Sequence, residues 1–239
     1  MDLFTSPLAS HLTPGAAHWA ETTAELDQQG SAVIPQLLSA AECEALVRLY
    51  PDTRHFRSRV VMQQHGFGRG EYQYFSYPLP ETVQRLRATL YPALAGVANA
   101  WNAALGIEAR FPHDHADFLA RCHAAGQQRP TPLLLQYGPG DYNCLHQDLY
   151  GEHVFPLQLT VLLDDAFTGG EFVLTEQRPR MQSCASVVPL RLGQAVIFPV
   201  RHRPAQGARG TYRVTMRHGV SRLQSGHRHT LGIIFHDAA

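Results

Sequence analysis

Thr131-Pro132-Leu133-Leu134-Leu135-Gln136-Tyr137-Gly138-Pro139-Gly140-Asp141-Tyr142-Asn143-Cys144-Leu145-His146-Gln147-Asp148 is the stretch on which the fold turns. A short apolar run, a Gly-Pro-Gly turn and a second run ending in His-Gln-Asp read as two successive β-strands. Just upstream, Gly126 to Pro132 is a polar, Pro-containing joint where the character of the chain changes. Downstream, Phe155–Leu163, Glu171–Thr175, Val187–Leu190, Ala195–Phe198, Thr211–Gly219 and Arg228–Phe235 read as further strands, with turns at Thr168-Gly169-Gly170 and Gly193. So many short strands in so few residues predict a mainly β fold, a double-stranded β-helix of the jelly-roll or cupin-like kind. An open antiparallel sheet in an α+β domain is the alternative.

The first half reads as the helical layer of that barrel. Ala16 to Gln29 predicts a helix ended by Gly30, and Ala32-Val33-Ile34 a short strand. Ser39 and Glu42 form a capping box that opens a helix running to Tyr50 and stopped by Pro51. Arg59 to Gln63 reads as a strand. Leu86, Leu90, Leu94, Val97, Trp101 and Leu105 recur at helical spacing, with Pro92 predicting a break and a second helix. Asp114 to Ala125 predicts another helix. The chain is expected to form a single domain over residues 1–239, with 1–128 as helical support, 65–77 as a candidate substrate lid and 129–239 as the catalytic barrel.

Composition narrows the class. The 239 residues carry 20 basic and 20 acidic side chains, and every basic one is Arg. No lysine is therefore available for Schiff-base or general-base chemistry. The neutral total hides a polarity: Gln177 to His236 holds ten Arg and no acid, whereas the preceding 176 residues hold ten Arg against nineteen acids. Charged residues at 17% and hydrophobic ones at 44% describe an ordinary globular chain. No apolar run is long enough to span a membrane, and Met1 to Ser10 lacks the features of a signal peptide. Cys43, Cys122, Cys144 and Cys184 show no C-x-x-C pairing and read as reduced, buried thiols of a cytoplasmic protein.

The chemistry concentrates in His146-Gln147-Asp148 and His218. On a strand, alternate side chains share a face, so His146 and Asp148 are expected side by side. Two imidazoles and one carboxylate on one face of a metal form the facial triad of non-haem Fe(II) oxygenases, which leaves the opposite face open. In the strand containing His218, the same face carries Tyr212, Val214 and Met216, while Arg213, Thr215 and Arg217 point the other way. His115-Ala116-Asp117 repeats the tripeptide, but within a predicted helix, where i and i+2 do not share a face. His113, His115, His153, His202, His227, His229 and His236 read as surface or supporting histidines. Arg228 shares its face with Thr230, Gly232 and Ile234, opposite the apolar Leu231, Ile233 and Phe235, and so points into the barrel. A buried Arg needs a carboxylate, and this segment holds none. The partner is then either a ligand such as 2-oxoglutarate or an acid elsewhere in the chain.

Tyr137-x-Pro139-Gly140-x5-His146-Gln147-Asp148, His218 and Gly226-x-Arg228 together resemble the Fe(II)/2-oxoglutarate-dependent dioxygenases. The first part is most similar to the AlkB family of oxidative nucleic-acid demethylases. His218-Gly219-Val220-Ser221 with Gly226-x-Arg228 resembles the prolyl-hydroxylase branch. Gly169-Gly170-Glu171-Phe172-Val173-Leu174-Thr175-Glu176-Gln177-Arg178-Pro179-Arg180 resembles a bacterial group described as oxygenases acting on damaged DNA. The resemblance implies Fe(II) held by His146, Asp148 and His218, 2-oxoglutarate and O2 as cosubstrates, Arg228 on the distal carboxylate, and Tyr137 as a hydrogen-bonding partner. Where the AlkB pattern has an Asn and a second Arg, this chain has Leu135 and Ile234.

The substrate implied is an N-alkylated base of single-stranded or damaged DNA or RNA, with no membrane and no protein partner expected. Arg178, Arg180, Arg201, Arg203, Arg209, Arg213, Arg217 and Arg222 could form a basic rim for phosphates, or could simply face solvent. Arg69, Tyr72 and Tyr74, in the candidate lid, could meet a flipped base, or could pack a hairpin. A protein or small-molecule hydroxylase on the same triad is the rival reading. A non-catalytic barrel that binds a ligand is a second.

Overall fold

In the computed structural model, which describes residues 16–239, helix α1 (Ala16–Gln29) leads through Gly30 into strand β1 (Ala32–Ile34). Gly30 takes φ 79°, the left-handed value at which glycine ends a helix without Cβ strain. The reading of Met1 to Ser10 lies outside the described residues. Helix α2 (Ala40–Leu49) opens on the capping box: Ser39 Oγ accepts from the Glu42 N–H at 3.3 Å, and the Glu42 carboxylate accepts from the Ser39 N–H at 2.9 Å. Strands β2 (Phe56–Val61), β3 (Gly68–Arg69) and β4 (Glu71–Phe75) follow, then helices α3 (Glu81–Ala104) and α4 (His115–Ala124).

The predicted break at Pro92 does not occur, because α3 is one helix of 24 residues. An interior proline costs ~3 kcal/mol or more. Leu86, Leu90, Leu94, Val97 and Trp101, on both sides of Pro92, are buried in one core and keep the two halves on one axis. Packing here overrides the local preference.

The second half consists of β5 (Leu133–Tyr137), β6 (Tyr142–His146), β7 (Leu157–Leu162), β8 (Phe167–Gly169), β9 (Phe172–Gln177), β10 (Cys184–Val188), β11 (Ala195–Pro199), β12 (His202–Gly207), β13 (Gly210–Val220), β14 (Leu223–Gly226) and β15 (Arg228–Ile234). Strands β8, β12 and β14 are absent from the sequence reading. They are short or polar, and β12 carries Pro204, which an edge strand tolerates. A seven-stranded sheet runs β1-β11-β7-β15-β5-β4-β2, and a second runs β10-β9-β13-β6-β3 with β12 on the free half of β13. The two sheets form a double-stranded β-helix with helices preceding it in the chain. The segment read as a lid is woven into the framework: β4 extends the first sheet and β3 the second.

Strand β15 is buried on both faces. Leu231, Ile233 and the following Phe235 pack with α3, Phe118 and Phe155 in the principal core, with Tyr91 and Phe155 centroids 5.0 Å apart. Phe172, Leu174, Phe198, Val214 and Met216 fill the space between the sheets.

Two of the histidines read as surface or supporting residues are buried in the core. His115 Nε2 bonds the Phe235 carbonyl at 2.8 Å, and His236 Nδ1 accepts from the Phe155 N–H at 3.2 Å. Helix α4 turns His115 inward and the bend after β15 turns His236 inward; each ring takes one backbone partner, and His236 Nε2 has none among the described residues. Beside them Arg87 and Asp237, both fully buried, pair at 3.0 Å, and Tyr77 and His123 also bond Asp237. Two of the four cysteines are likewise misread, since Cys144 and Cys184 are exposed while Cys43 and Cys122 are buried.

Burial, reinforced by the charge of Arg87, pulls His115 and His236 down to about 4 from an ordinary value near 6.5. Between those values the unfolded chain binds protons that the folded chain refuses. Folding stability is therefore complete above about pH 6.5 and falls as pH drops toward 4, by up to about 1.4 kcal/mol per pH unit for each imidazole. Urea unfolding midpoints measured from pH 7 to 4.5 should show this decline, with a shallower slope in His115→Gln.

Candidate metal centre and active site

The antiparallel register of β13 on β6 sets His218 directly opposite His146. Directly opposed residues on one sheet face lie within side-chain contact, and here the ring centroids are 4.2 Å apart. Asp148 follows two residues after β6 ends, so the carboxylate arrives from irregular backbone and not from the extended strand the sequence suggested. Its Oδ2 lies 3.3 Å from His218 Nε2, and its Oδ1 lies 3.6 Å from His146 Nε2. One donor atom from each of the three lies within 4.8 Å of the others, a two-nitrogen, one-oxygen set that a divalent metal can take.

Neighbouring groups orient these donors. The His146 Nδ1–H donates to the Cys144 carbonyl at 2.8 Å, leaving Nε2 with its lone pair toward the centre. Phe198 and Phe172 pack the His218 ring at 4.6 and 6.0 Å between centroids. The Tyr150 hydroxyl donates to Asp148 Oδ1 at 2.8 Å, and the Gln158 amide donates to Asp148 Oδ2 at 2.9 Å. Burial pushes the Asp148 carboxyl upward. The hydrogen bond from His218 and the charges of both imidazoles outweigh burial and hold it well below the usual carboxylate range.

Sequence reading missed Gln158 and Tyr150. A signal for Gln158 was present: in Leu157-Gln158-Leu159-Thr160-Val161, the two polar residues alternate on one face of an otherwise apolar strand. That face lines the cavity.

The cavity holds about 370 Å³. Arg228 lies in its wall, the first residue of β15, paired in register with Tyr137 of β5. Its guanidinium carbon sits 5.5 Å from the Tyr137 ring centroid. Arg228 is 2% exposed, and its Nε and Nη1 find no hydrogen-bond partner among the described residues. The buried Tyr137 hydroxyl has none either. The nearest acids are engaged elsewhere, Asp164 with His229 at 2.6 Å and Glu171 with Ser221. Burial lowers the Arg228 pKa, yet an arginine keeps its charge. Beside it, Leu135 and Ile234 make the wall apolar, and among the described residues Arg228 is the one guanidinium lining the cavity. Gly170, at φ 67°, leaves room for it: a Cβ there would lie 3.0 Å from Arg228 Cδ.

Of the residues expected to meet substrate, Tyr72 and Tyr74 line the cavity, with ring centroids 5.4 Å apart at 87°. Arg69, Arg178 and Arg180 do not. Arg69 turns to Asp141 at 3.7 Å, and Arg178 pairs with Glu176 at 2.8 Å. The expected basic rim is dispersed as well. Arg203 is buried on Glu176 at 2.7 Å, and Arg222 lies 4.5 Å from the Tyr142 ring centroid. Arg201, Arg209, Arg213 and Arg217 are exposed away from the cavity wall. The second tripeptide is also explained without a metal, since Asp117 is exposed while His115 is buried.

Solved structures share this architecture. An oxidoreductase of the 2OG-Fe(II) oxygenase family from Burkholderia pseudomallei superposes with a TM-score of 0.55 at 16% identity, covering 92% of each chain. A prolyl-4-hydroxylase from Pseudomonas putida gives 0.51 at 13% identity, covering 90% of this chain and 96% of its own. In sequence, an uncharacterized protein of Mycobacterium tuberculosis is 50% identical over 168 residues, 69% of this chain and 72% of its own. Fold and site together define a 2-oxoglutarate- and Fe(II)-dependent oxygenase, an oxidoreductase. Residues 70–238 match the model of a family described as an oxygenase "catalysing oxidative methylation of damaged DNA", and the chain belongs to that family.

Because Tyr150 and Gln158 each hold one Asp148 oxygen, Tyr150→Phe and Gln158→Leu should weaken divalent-cation binding about 10–100-fold. Anaerobic titration with Fe(II) or Mn(II) measures this, with thermal unfolding of the metal-free protein as the control for folding.

Proposed function

We propose that this chain hydroxylates N-alkyl groups on nucleic-acid bases, with His146, Asp148 and His218 as ligands of Fe(II), and Arg228 and Tyr137 as the seat of the distal carboxylate of 2-oxoglutarate. The observation that carries the reading is the buried, unpartnered guanidinium of Arg228 in the same cavity as the triad. A dicarboxylate fits there because a fork of N–H donors matches a carboxylate two-for-two. Tyr137 supplies a second donor beside it. A single cation suffices for a single distal carboxylate, which accommodates Ile234 where a second Arg was looked for.

Bound in this site, metal and 2-oxoglutarate supply oxidative decarboxylation to succinate and CO2, coupled to oxygen insertion into a substrate C–H bond. The chain's own residues do the rest. Tyr150 and Gln158 keep the Asp148 carboxylate aimed at the centre, and the His146 tautomer is set by the Cys144 carbonyl. Leu133, Leu135 and Ile234 exclude water from the reacting groups. Tyr72 and Tyr74 offer ring faces and edges to a base withdrawn from its stack. An N-hydroxymethyl product then breaks down to formaldehyde and the free base. The family description supports damaged DNA as the substrate class.

A second reading, hydroxylation of a peptide or small molecule, draws support from the His218-Gly219-Val220-Ser221 and Gly226-x-Arg228 pattern. It uses the same residues and differs only in what enters the cavity.

With Fe(II), 2-oxoglutarate and a methylated single-stranded oligonucleotide, formaldehyde and succinate should appear in equal amounts. His146→Ala should abolish both, while Arg228→Gln should raise the KM for 2-oxoglutarate by ~10-fold or more, as the loss of a charged bidentate hydrogen bond implies. Succinate without formaldehyde on oligonucleotides, together with turnover of a peptide or amino acid, would favour the second reading.

A further inference from the structure

Behind the tyrosine wall of the cavity lies a second concavity. The two share Tyr74, Leu149 and Tyr150, and the second is lined further by Arg57, Arg129 and Thr131. From the metal side the route is short: Asp148 Oδ1 accepts from Tyr150 at 2.8 Å, and the Tyr74 and Tyr150 hydroxyls are 2.9 Å apart. On the other side of Tyr74, the Arg57 guanidinium carbon stands 4.4 Å from the ring centroid.

Both arginines are held in place through Nε alone. Arg57 Nε donates to the Pro130 carbonyl at 2.9 Å, and Arg129 Nε donates to an Ala239 oxygen at 2.7 Å. Arg129 is fixed further by paired backbone bonds with Ala238, at 2.9 and 2.8 Å. The terminal nitrogens of both forks make no hydrogen bond among the described residues, and neither side chain pairs with an Asp or Glu there. Asp237, the acid whose charge reaches Arg57, is committed to Arg87. Two like charges in one groove repel unless anionic oxygens balance them, and beyond the Ala239 oxygen on Arg129 Nε and the Pro130 carbonyl on Arg57 Nε no oxygen bonds either fork among the described residues. Arg57 and Arg129 both come from the part of the chain before Gln177, where acids outnumber Arg.

Resting on the nucleic-acid reading above, we propose that the Arg57–Arg129 groove is a phosphate subsite, holding a backbone phosphate of the strand whose base enters the neighbouring cavity. Pre-aimed guanidinium forks suit the planar, two-oxygen face of a phosphate. The wall shared by groove and cavity matches a ligand that joins a flat ring and an anion through one sugar. A carboxylate of an acidic peptide would satisfy the charge but not the aromatic continuity of Tyr74 and Tyr150.

The test is the salt dependence of binding of a fluorescein-labelled, methylated single-stranded oligonucleotide by the full chain, read by anisotropy between 50 and 200 mM NaCl. Each phosphate contact on a single strand contributes about 0.7 to the slope of log K against log salt. Arg57→Gln with Arg129→Gln removes that one phosphate contact and should lower the slope by ~0.7. Arg57→Lys with Arg129→Lys should keep it, which separates charge from packing, and thermal unfolding checks that each variant folds. The KM for the oligonucleotide should rise in the Gln pair by more than the KM for the corresponding free methylated nucleoside, which has no phosphate. An unchanged slope in folded Gln variants, while the wild type binds and releases formaldehyde, overturns the groove alone. An acidic peptide that displaces the oligonucleotide and loses affinity in the Gln pair also overturns it, in favour of a protein ligand. Absence of both oligonucleotide binding and formaldehyde in the wild type overturns the nucleic-acid reading and the groove together.

Discussion

The register between β6 and β13 is the constraint from which the site follows. His146 and His218 are 72 positions apart in sequence, and only antiparallel pairing with one particular alignment sets them face to face. A slip of one residue would turn every side chain of β13 to the other face, exchanging Val214, Met216 and His218 for Arg213, Thr215 and Arg217. That exchange would put guanidinium groups between the sheets and apolar chains in water. The hydrophobic cluster of Val214 and Met216 with Phe172, Leu174 and Phe198 therefore also fixes the alignment of the imidazoles. Stability and chemistry use the same alternation.

Buried charge is handled in two ways. Arg87 with Asp237, and Arg203 with Glu176, are paired within the chain at 3.0 and 2.7 Å. In both, the terminal nitrogens are engaged and only Nε lacks a partner, and the Arg87 pair binds distant segments together, since Asp237 lies 150 positions from Arg87. Arg228 is the contrasting case, buried as deeply and left with open donors. Desolvating a guanidinium without an acid is costly, and the compensation here is proposed to come from the cosubstrate. The arginines of the groove behind Tyr74 follow the same logic at a less buried position.

Much was legible from local pattern. Alternation placed His218 and Arg228 on inward faces, and the capping box at Ser39 and the glycine stop at Gly30 are determined within a few residues of themselves. Errors arose where the decision was not local. Pro92 signals a break, yet one continuous apolar face across it keeps α3 whole. His115 and His236 read as surface or supporting residues, and only the packing of Phe235 and Phe155 decides for burial. Tyr72 and Tyr74 stand in a stretch that reads as a loop or a hairpin, and pairing of β4 with β2 and β5 decides for strand. Eight of the ten arginines in the acid-free stretch read as a rim or as solvent-facing, because nothing in their own segment reveals that Glu176 neutralises Arg203.

By itself, then, the chain's sequence determined the type of most strands and helices, the inward faces and the donor set of the proposed metal site, since each depends on periodicity or on residue chemistry. Tertiary structure alone decided how those donors meet, which residues hold Asp148, and which arginines remain free. Those outcomes depend on pairing between segments far apart in the chain. Gln158 reaches Asp148, and Arg57 reaches the groove beside Arg129, only after the sheets have closed.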